Sequence, residues 1–334
     1  QVLLKELNIE INRNSYLKLM YYIYRDFIGL NKIEPLMNDF YIEDIECNGV
    51  KAPVYLVHRR FGNIRTNIVY DDFDEITSFV EKLAQKCGKY ISYANPIMDG
   101  RLPDSGARVN AHYTEDVTSR GPTFSIRMFT REAWSPVKLM NVGTISAEVL
   151  AYLLILVEHG TNILVVGGTG SGKTTMINVI ASFIRPEARI VSIEDTKELR
   201  LIHENWLPSV ARAGTGVGGE NTGEVTLFDL LRASFRQRPD YVIVGEIRGQ
   251  EANVLFQGMA SGHSGLATMH ADDVKTVIKR LETPPINLSP SLVEILDVVC
   301  LIGYAKVKGR EMRKLRAIQE IIRVGEGGEA EINV

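Results

Sequence analysis

Cysteine is scarce in this chain of 334 residues, which carries three: Cys47, Cys87 and Cys300. They lie too far apart for a disulfide scaffold or for the C-x-x-C pairs of a zinc module, so the expectation is a reducing compartment and no zinc. Long apolar runs are missing too. The longest, Val149 to Val157, is nine residues, against the ~20 that span a bilayer. Net charge is close to absent: 38 Lys and Arg against 41 Asp and Glu give −3. No strong global field therefore draws the chain to nucleic acid or anionic lipid. There is no internal repeat and no signal-peptide pattern, and residue 1 is Gln rather than Met. The expectation is a cytoplasmic protein with a further region ahead of Gln1. What remains is an ordinary globular composition, 45% hydrophobic and 24% charged. It excludes disorder, collagen and coiled coil as the main state, and the length suits about two domains.

Two textures divide the chain. In the first, Leu17, Met20, Tyr21, Tyr24 and Ile28 recur at helical spacing and predict an amphipathic opening helix. Pro53 to Val57 and Ile64 to Tyr70 read as strands around a turn at Phe61-Gly-Asn63. Asp74 to Lys86 reads as a helix, and Arg108 to Ala111 and Thr123 to Arg127 as further strands. This is the pattern of a small α+β domain. Trp134 to Gly143, with Pro136, Gly143 and little periodicity, reads as a linker. The expected domains are therefore 1–140, including the linker, and 141–334.

In the second texture apolar strands alternate with helices. Ile163 to Val166, Arg189 to Ile193, Tyr241 to Val244 and Leu266 to Met269 read as buried strands, and Lys173 to Ile184 as a helix stopped by Arg185-Pro186. This argues for an α/β domain with a mainly parallel sheet covered on both faces. Val298 to Val324 fits either a strand and a helix or a β-hairpin, and the Gly- and Glu-rich tail from Gly325 reads as disordered.

The chemistry concentrates at Gly167-Gly168-Thr169-Gly170-Ser171-Gly172-Lys173-Thr174, which fits G-x-x-x-x-G-K-[ST] between a strand and a helix. Its glycines let successive N–H groups turn inward around phosphate oxygens, and the helix N-terminus adds positive potential. Lys173 would reach the β- and γ-phosphates of ATP and Thr174 would ligate Mg²⁺, with Thr175 beside them.

Acids stand at two strand ends. Glu246, in Gly245-Glu246-Ile247-Arg248, is placed to bind Mg²⁺ through a water, although many P-loop proteins carry Asp where Gly245 stands. In Glu194-Asp195-Thr-Lys-Glu198, Glu198 is the candidate general base and Glu194 a support of the metal shell. The alternative for this cluster is a solvated helix start, where acids are favoured anyway. His263 and His270 flank a strand seven residues apart, an unsuitable spacing for a shared metal, and fit hydrogen bonding to phosphate or acids, or a structural role. A helix through Leu227, Leu230, Leu231, Ser234 and Phe235 carries Arg232 and Arg236, with Arg238 beyond, and Arg212 precedes a glycine-rich loop. Arg101, Arg108, Arg120 and Arg127 crowd the end of the first domain. Such arginines suggest a nucleotide site completed across a domain or subunit boundary.

The order of these stretches resembles the secretion ATPase superfamily of type II and type IV secretion, type IV pili and archaella. Its Walker A, Asp box, Walker B and His box match Gly167…Lys173-Thr174, Glu194-Asp195…Glu198, Gly245-Glu246-Ile-Arg248 and Gly262-His263…His270. Ile42-Glu-Asp-Ile…Asn48-Gly, His58-Arg-Arg-Phe-Gly62 and Arg101-Leu-Pro-Asp…Arg108-Val-Asn-Ala111 are similar to the archaeal GspE branch. The resemblance implies a PAS-like N-terminal domain joined to a RecA-like ATPase domain, a homo-hexameric ring, and ATP with Mg²⁺. It implies work at the cytoplasmic membrane through a polytopic platform protein, in secretion or in assembling a pilus or archaellum-like filament. It puts the catalytic base on Glu198, the Walker B acid on Glu246 with Arg248 beside it, and the phosphate-side histidine on His263 or His270. The N-terminal arginines that reach nucleotide fall among Arg101, Arg108, Arg120 and Arg127. The run Asp104-Ser-Gly-Ala-Arg108 is a residue longer than the usual turn. A conjugation-type traffic ATPase, a nucleic-acid translocase with the same core, and a nucleotide-gated switch without turnover are the competing readings.

Overall fold

A computed structural model describes residues 11–128, 134–212, 223–307, 309–325 and 330–333. The chain folds as two units, Gln1–Arg131 and Glu132–Val334. The first is built on six antiparallel strands: β1 (Ile42–Cys47), β2 (Pro53–His58), β3 (Gly62–Val69), β4 (Ile97–Arg101), β5 (Arg108–His112) and β6 (Thr123–Arg127). Their order is β3-β2-β1-β6-β5-β4. In β1 the irregularity between Ile42 and Asp44 lets Ile42 join Ile45 and Cys47 among the buried residues. Helix α2 (Phe73–Lys86) starts where Asp72 accepts the Asp74 N–H at 3.2 Å. Ile76, Phe79, Val80, Leu83 and Ala84 sit at 3.6-residue spacing and enter the same core as Val109, Phe124 and Ile126.

The opening helix forms, as α1 (Arg13–Ile23) followed by a π turn over Tyr24–Ile28, but none of its residues is buried. The stripe of Leu17, Met20, Tyr21, Tyr24 and Ile28 is exposed. The turn is held by a polar anchor instead: Lys82 Nζ of α2 donates to the Asp26 carbonyl at 2.7 Å and to Asn31 at 2.6 Å.

The second unit holds an eight-stranded sheet ordered β14-β13-β12-β7-β11-β10-β8-β9. Here β7 is Ile163–Val166, β8 Ile190–Glu194, β9 Trp206–Val210, β10 Tyr241–Val244, β11 Ser264–Met269, β12 Val298–Val307, β13 Arg310–Val324 and β14 Ala330–Asn333. The run from β12 to β9 is parallel, and β13 and β14 extend it antiparallel. Every residue of β7, β8 and β10 is buried, because a separate core covers each face of the sheet.

Two readings are corrected. Residues 134–143 are not a featureless linker: Ser135 caps helix α3 (Pro136–Asn141), and Leu139 is buried in a core of the second unit. Just beyond, the Thr144 carbonyl accepts the Leu315 N–H of β13 at 2.9 Å. Pro136 lies in the helix's first turn, where its missing N–H costs no hydrogen bond. In the tail, Ala330–Asn333 pairs with β13, satisfying backbone groups of what would otherwise be an edge strand. The ambiguous stretch 298–324 is a β-hairpin.

Candidate active site

The phosphate-binding loop leaves β7 at Val166 and enters helix α5 (Lys173–Ala181). Gly170 and Gly172 take φ of +70° and +100°, which favour glycine. At Gly167 the restriction is space: a Cβ would lie 2.2 Å from the Ile302 carbonyl oxygen and 2.7 Å from Ser171 Oγ. Ser171 is itself buried and donates to the Gly168 carbonyl at 2.8 Å. Gly168, Thr169 and Gly170 are exposed, and Thr174 and Thr175 are half-buried in the first turn of α5. Lys173 Nζ donates to the Gly167 and Gly168 carbonyls, each at 3.0 Å. Burial lowers its pKa from 10.5, against the opposing charges of Glu246 and Glu198.

Both acidic stretches arrive at the C-terminal edge of the sheet, the side that carries the loop. Glu194 ends β8 at 2% exposure, and its Oε1 accepts the N–H groups of Glu198 at 2.8 Å and Leu199 at 2.9 Å. The carboxylate thus braces the turn that presents half-buried Glu198, rather than standing free for a metal shell. On the neighbouring strand end, Glu246 Oε2 accepts from Arg248 Nη2 at 2.6 Å, while Oε1 lies 3.1 Å from His270 Nε2. Burial opposes ionisation of Glu246, but the Arg248 hydrogen bond and the nearby charges prevail and hold its carboxyl below its usual 4.5.

His270, just past β11, has both ring nitrogens within 3.4 Å of Lys173 Nζ. Burial, then the Lys173 charge, lowers its pKa from 6.5, so the ring is neutral at pH 7 and offers Lys173 a lone pair. His263 does not join the site. It precedes β11, about 20 Å of strand away, where it packs edge-on against Phe235 with ring centroids 5.1 Å apart. Its Nδ1 lies 3.3 Å from the Gly258 carbonyl. Of the two histidines, only His270 meets the loop.

Within the first unit three of the four arginines fall into one row. Arg101 pairs across to Arg108, and Arg108 across to Arg127, so β4, β5 and β6 present them side by side on one face. Such a row of like charges is unfavourable by itself, and acids temper it: Arg108 binds Asp99 at 2.6 Å and Arg127 binds Asp44 at 2.9 Å. Arg120 lies outside this row, in the turn before β6, where its carbonyl accepts the Val50 N–H. In the second unit, Arg212 donates to the Gly223 carbonyl at 2.8 Å, and Arg232 lies over the Phe228 ring at 5.7 Å. The glycine-rich loop after Arg212 lies outside the described residues, apart from Gly223.

Several residues of the site escaped sequence reasoning. Glu251, in the first turn of helix α7 (Glu251–Ala260), accepts the N–H groups of Arg248 at 2.6 Å and Gly249 at 2.7 Å. An acid opening a helix just past the Walker B stretch was the available signal. Arg280 Nη1 donates to the His270 carbonyl at 2.6 Å. Tyr304 and Arg313 both reach the Gly170 carbonyl, and nothing short of the hairpin register could have found them.

Among the described residues, no group of three or more His, Cys, Asp or Glu could hold a metal ion. The Thr174 hydroxyl and the half-buried, ionised Glu246 nevertheless suit Mg²⁺, which takes few protein oxygens and completes its shell with water and phosphate.

A strand, a glycine loop, a helix-borne lysine and acids at neighbouring strand ends define a P-loop protein of the α/β class. The chain belongs to the type II/IV secretion system protein family, whose model matches residues 56–302. The uncharacterised protein MJ0900 of Methanocaldococcus jannaschii is 42% identical over 313 residues, 94% of this chain and 56% of the relative. The chain thus spans little more than half of that relative's length. The conjugal transfer protein TrbB of Rhizobium radiobacter is 31% identical over 238 residues, 67% of this chain and 68% of its own. The fold is like that of the pilus retraction motor PilT with bound ADP, at TM-score 0.60 and 21% identity over 84% of this chain and 80% of that one. It is also like the Yersinia pseudotuberculosis ATPase DotB, at TM-score 0.59 and 16% identity over 92% and 79%. The architecture is a RecA-like domain preceded by a smaller PAS-like α+β domain.

Proposed function

We propose that this chain is the ATP-hydrolysing motor of a secretion or filament-assembly system. The observation that carries the reading is the convergence of Lys173, Glu246 and His270 on the phosphate-binding loop, with Glu198 held beside them by buried Glu194. Inward N–H groups of the loop receive the β- and γ-phosphates, and Lys173 neutralises charge on the transferring group. Glu198 orients and deprotonates the attacking water, and Glu194 acts on it only by positioning. Thr174 and Glu246 would hold Mg²⁺, which would neutralise phosphate charge when bound. Neutral His270 accepts from Lys173 and spends its one N–H on Glu246, keeping both at hydrogen-bond range.

Of the two units, the first carries the arginine row and the second the nucleotide loop. The reading extends to a homo-hexameric ring, with the Arg101–Arg108–Arg127 row of the first unit as its candidate set of charge-stabilising arginines. Turnover would drive a polytopic platform protein at the cytoplasmic membrane. No helix among the described residues is long and apolar enough to cross a membrane. The likeness to TrbB favours a second reading, conjugation-type transport on the same chemistry.

Steady-state ATP turnover with Mg²⁺ tests the catalytic part. Lys173→Ala should lose nucleotide binding and turnover together. Glu198→Gln should bind nucleotide normally and lose at least ~100-fold in kcat. Equal turnover in wild type and both variants would overturn the reading.

A further inference from the structure

Strand β12 is ten residues long while its parallel neighbour β7 has four, and their pairing runs from Val298 opposite Ile163 to Leu301 opposite Val166. Past Leu301 the hairpin therefore runs on beside the phosphate-binding loop. Three contacts mark that passage. The Ile302 carbonyl fills the space a side chain would need at Gly167, Tyr304 lies 3.2 Å from the Cβ position of Gly170, and Arg313 Cδ lies 3.7 Å from that of Gly172.

Tyr304 and Arg313 are direct cross-strand partners in the β12–β13 ladder, so their side chains share a face. Both end on one atom. The Tyr304 hydroxyl donates to the Gly170 carbonyl oxygen at 2.9 Å, and Arg313 Nε donates to the same oxygen at 2.8 Å. The Arg313 guanidinium lies over the Tyr304 ring at 5.8 Å, tying the pair together. A carbonyl holding two donors fixes its peptide plane, and that plane also carries the Ser171 N–H. In a phosphate cradle the useful state is carbonyls outward and N–H groups inward. Gly170 is at φ +70° and without a side chain, and within the loop its peptide plane is held by the long Ser171 N–H contact to the Gly168 carbonyl, 3.4 Å, against two shorter bonds from the hairpin.

We propose that the Tyr304–Arg313 pair is a latch that holds the phosphate-binding loop in its phosphate-receiving shape and so sets affinity for nucleoside di- and triphosphates. Both are positioning residues, acting through the Gly170 peptide rather than on the reacting atoms. The proposal rests on the P-loop reading above, and it adds a control on that site from the hairpin.

The test titrates the chain with ADP in Mg²⁺ by calorimetry and measures kcat and KM for ATP, in wild type, Tyr304→Phe, Arg313→Lys and Arg313→Gln. Tyr304→Phe removes one donor and leaves the ring, so it preserves the fold. Each variant should raise Kd for ADP about three- to tenfold, the worth of one such hydrogen bond. The rise in KM for ATP should exceed the fall in kcat. Melting temperature without nucleotide should stay near that of wild type while the ADP-induced rise shrinks, a split that a merely structural role would not produce. Arg313→Lys keeps the charge but loses Nε, so wild-type affinity in that variant would overturn the latch in favour of simple charge attraction. Unchanged Kd in Tyr304→Phe, or loss of kcat at constant Kd, would also overturn it. Failure of the wild type to bind ADP would refute the P-loop reading instead.

Discussion

Replacing Glu194 separates bracing from chemistry. Its carboxylate is almost fully enclosed, and one oxygen takes the N–H groups of Glu198 and Leu199 at 2.8 and 2.9 Å. Glu194→Ala strands both donors, and Leu199 is itself fully buried, so water cannot readily replace the acceptor. Hydrogen bonds to a charged group contribute about 1.5–3 kcal/mol each, so the pair is worth ~3–5 kcal/mol after partial relaxation. For a unit of this size that lowers Tm by about 10 °C. Glu194→Gln keeps an acceptor oxygen and should lose about half as much. The functional consequence follows from placement: a displacement of ~1 Å in a catalytic group costs on the order of 100-fold in rate. Glu194→Ala should therefore drop kcat about 100-fold, with KM for ATP changed less than about threefold because the phosphate-binding loop is untouched. Scanning calorimetry and steady-state ATPase assays at a temperature where the variant is folded read both numbers. Wild-type kcat in folded Glu194→Ala would refute the bracing argument, and a KM rise without a kcat loss would place Glu194 in nucleotide binding.

Acid should expose His270. Its folded pKa lies below 6.5, so the unfolded chain binds the extra proton first, and the contribution to stability is present above the unfolded value and lost as pH falls from there through the lower folded pKa. His270→Gln should flatten the wild-type decline in Tm between about pH 7 and pH 5, as read by thermal melts across that range, and an unchanged slope would contradict the assignment. Gly258→Ala would set a Cβ 2.0 Å from Phe235 Cζ, so the ring must move. The expected cost is about 1–3 kcal/mol and a Tm lowered by at least ~3 °C, checked by differential scanning calorimetry.

The central strands were legible because they are buried on both faces. Tyr241–Val244 and Ile163–Val166 are continuous apolar runs whose ends match the expected bounds. The loop was legible because backbone geometry and lysine chemistry leave few alternatives at Gly167 to Thr174. Elements whose formation depends on distant partners were not. Strand β4, Ile-Met-Asp-Gly-Arg, has one buried side chain and is a strand because β5 lies alongside it. Residues 134–143 carry too short a pattern to reveal that Leu139 reaches a core. The opening helix forms as its apolar spacing predicts but has no buried face, since spacing reports a stripe and not what covers it. At the site, His263 and His270 look equivalent in sequence, and only the direction of β11 between them shows that one faces the loop and the other the far edge.

Strand direction also accounts for the missing acid at Gly245. Strands β8 and β10 are parallel neighbours, with Ile193 opposite Val244, so Glu194 and Gly245 are the next residues at the same edge. A Cβ on Gly245 would lie 3.1 Å from Glu194 Cγ and 3.4 Å from its Cβ, inside the space the glutamate stem already uses. One acidic side chain fits there, and it comes from β8. Its hydrogen bonds then decide its role, because a carboxylate enclosed by backbone N–H groups is held in place and is a poor ligand for anything mobile. The acid that faces the loop is displaced by one residue to Glu246, where Arg248, His270 and Lys173 keep it ionised. Glycine at 245 is therefore part of the acidic arrangement: it makes room for the residue that aims Glu198, and leaves the charge beside Lys173 to Glu246.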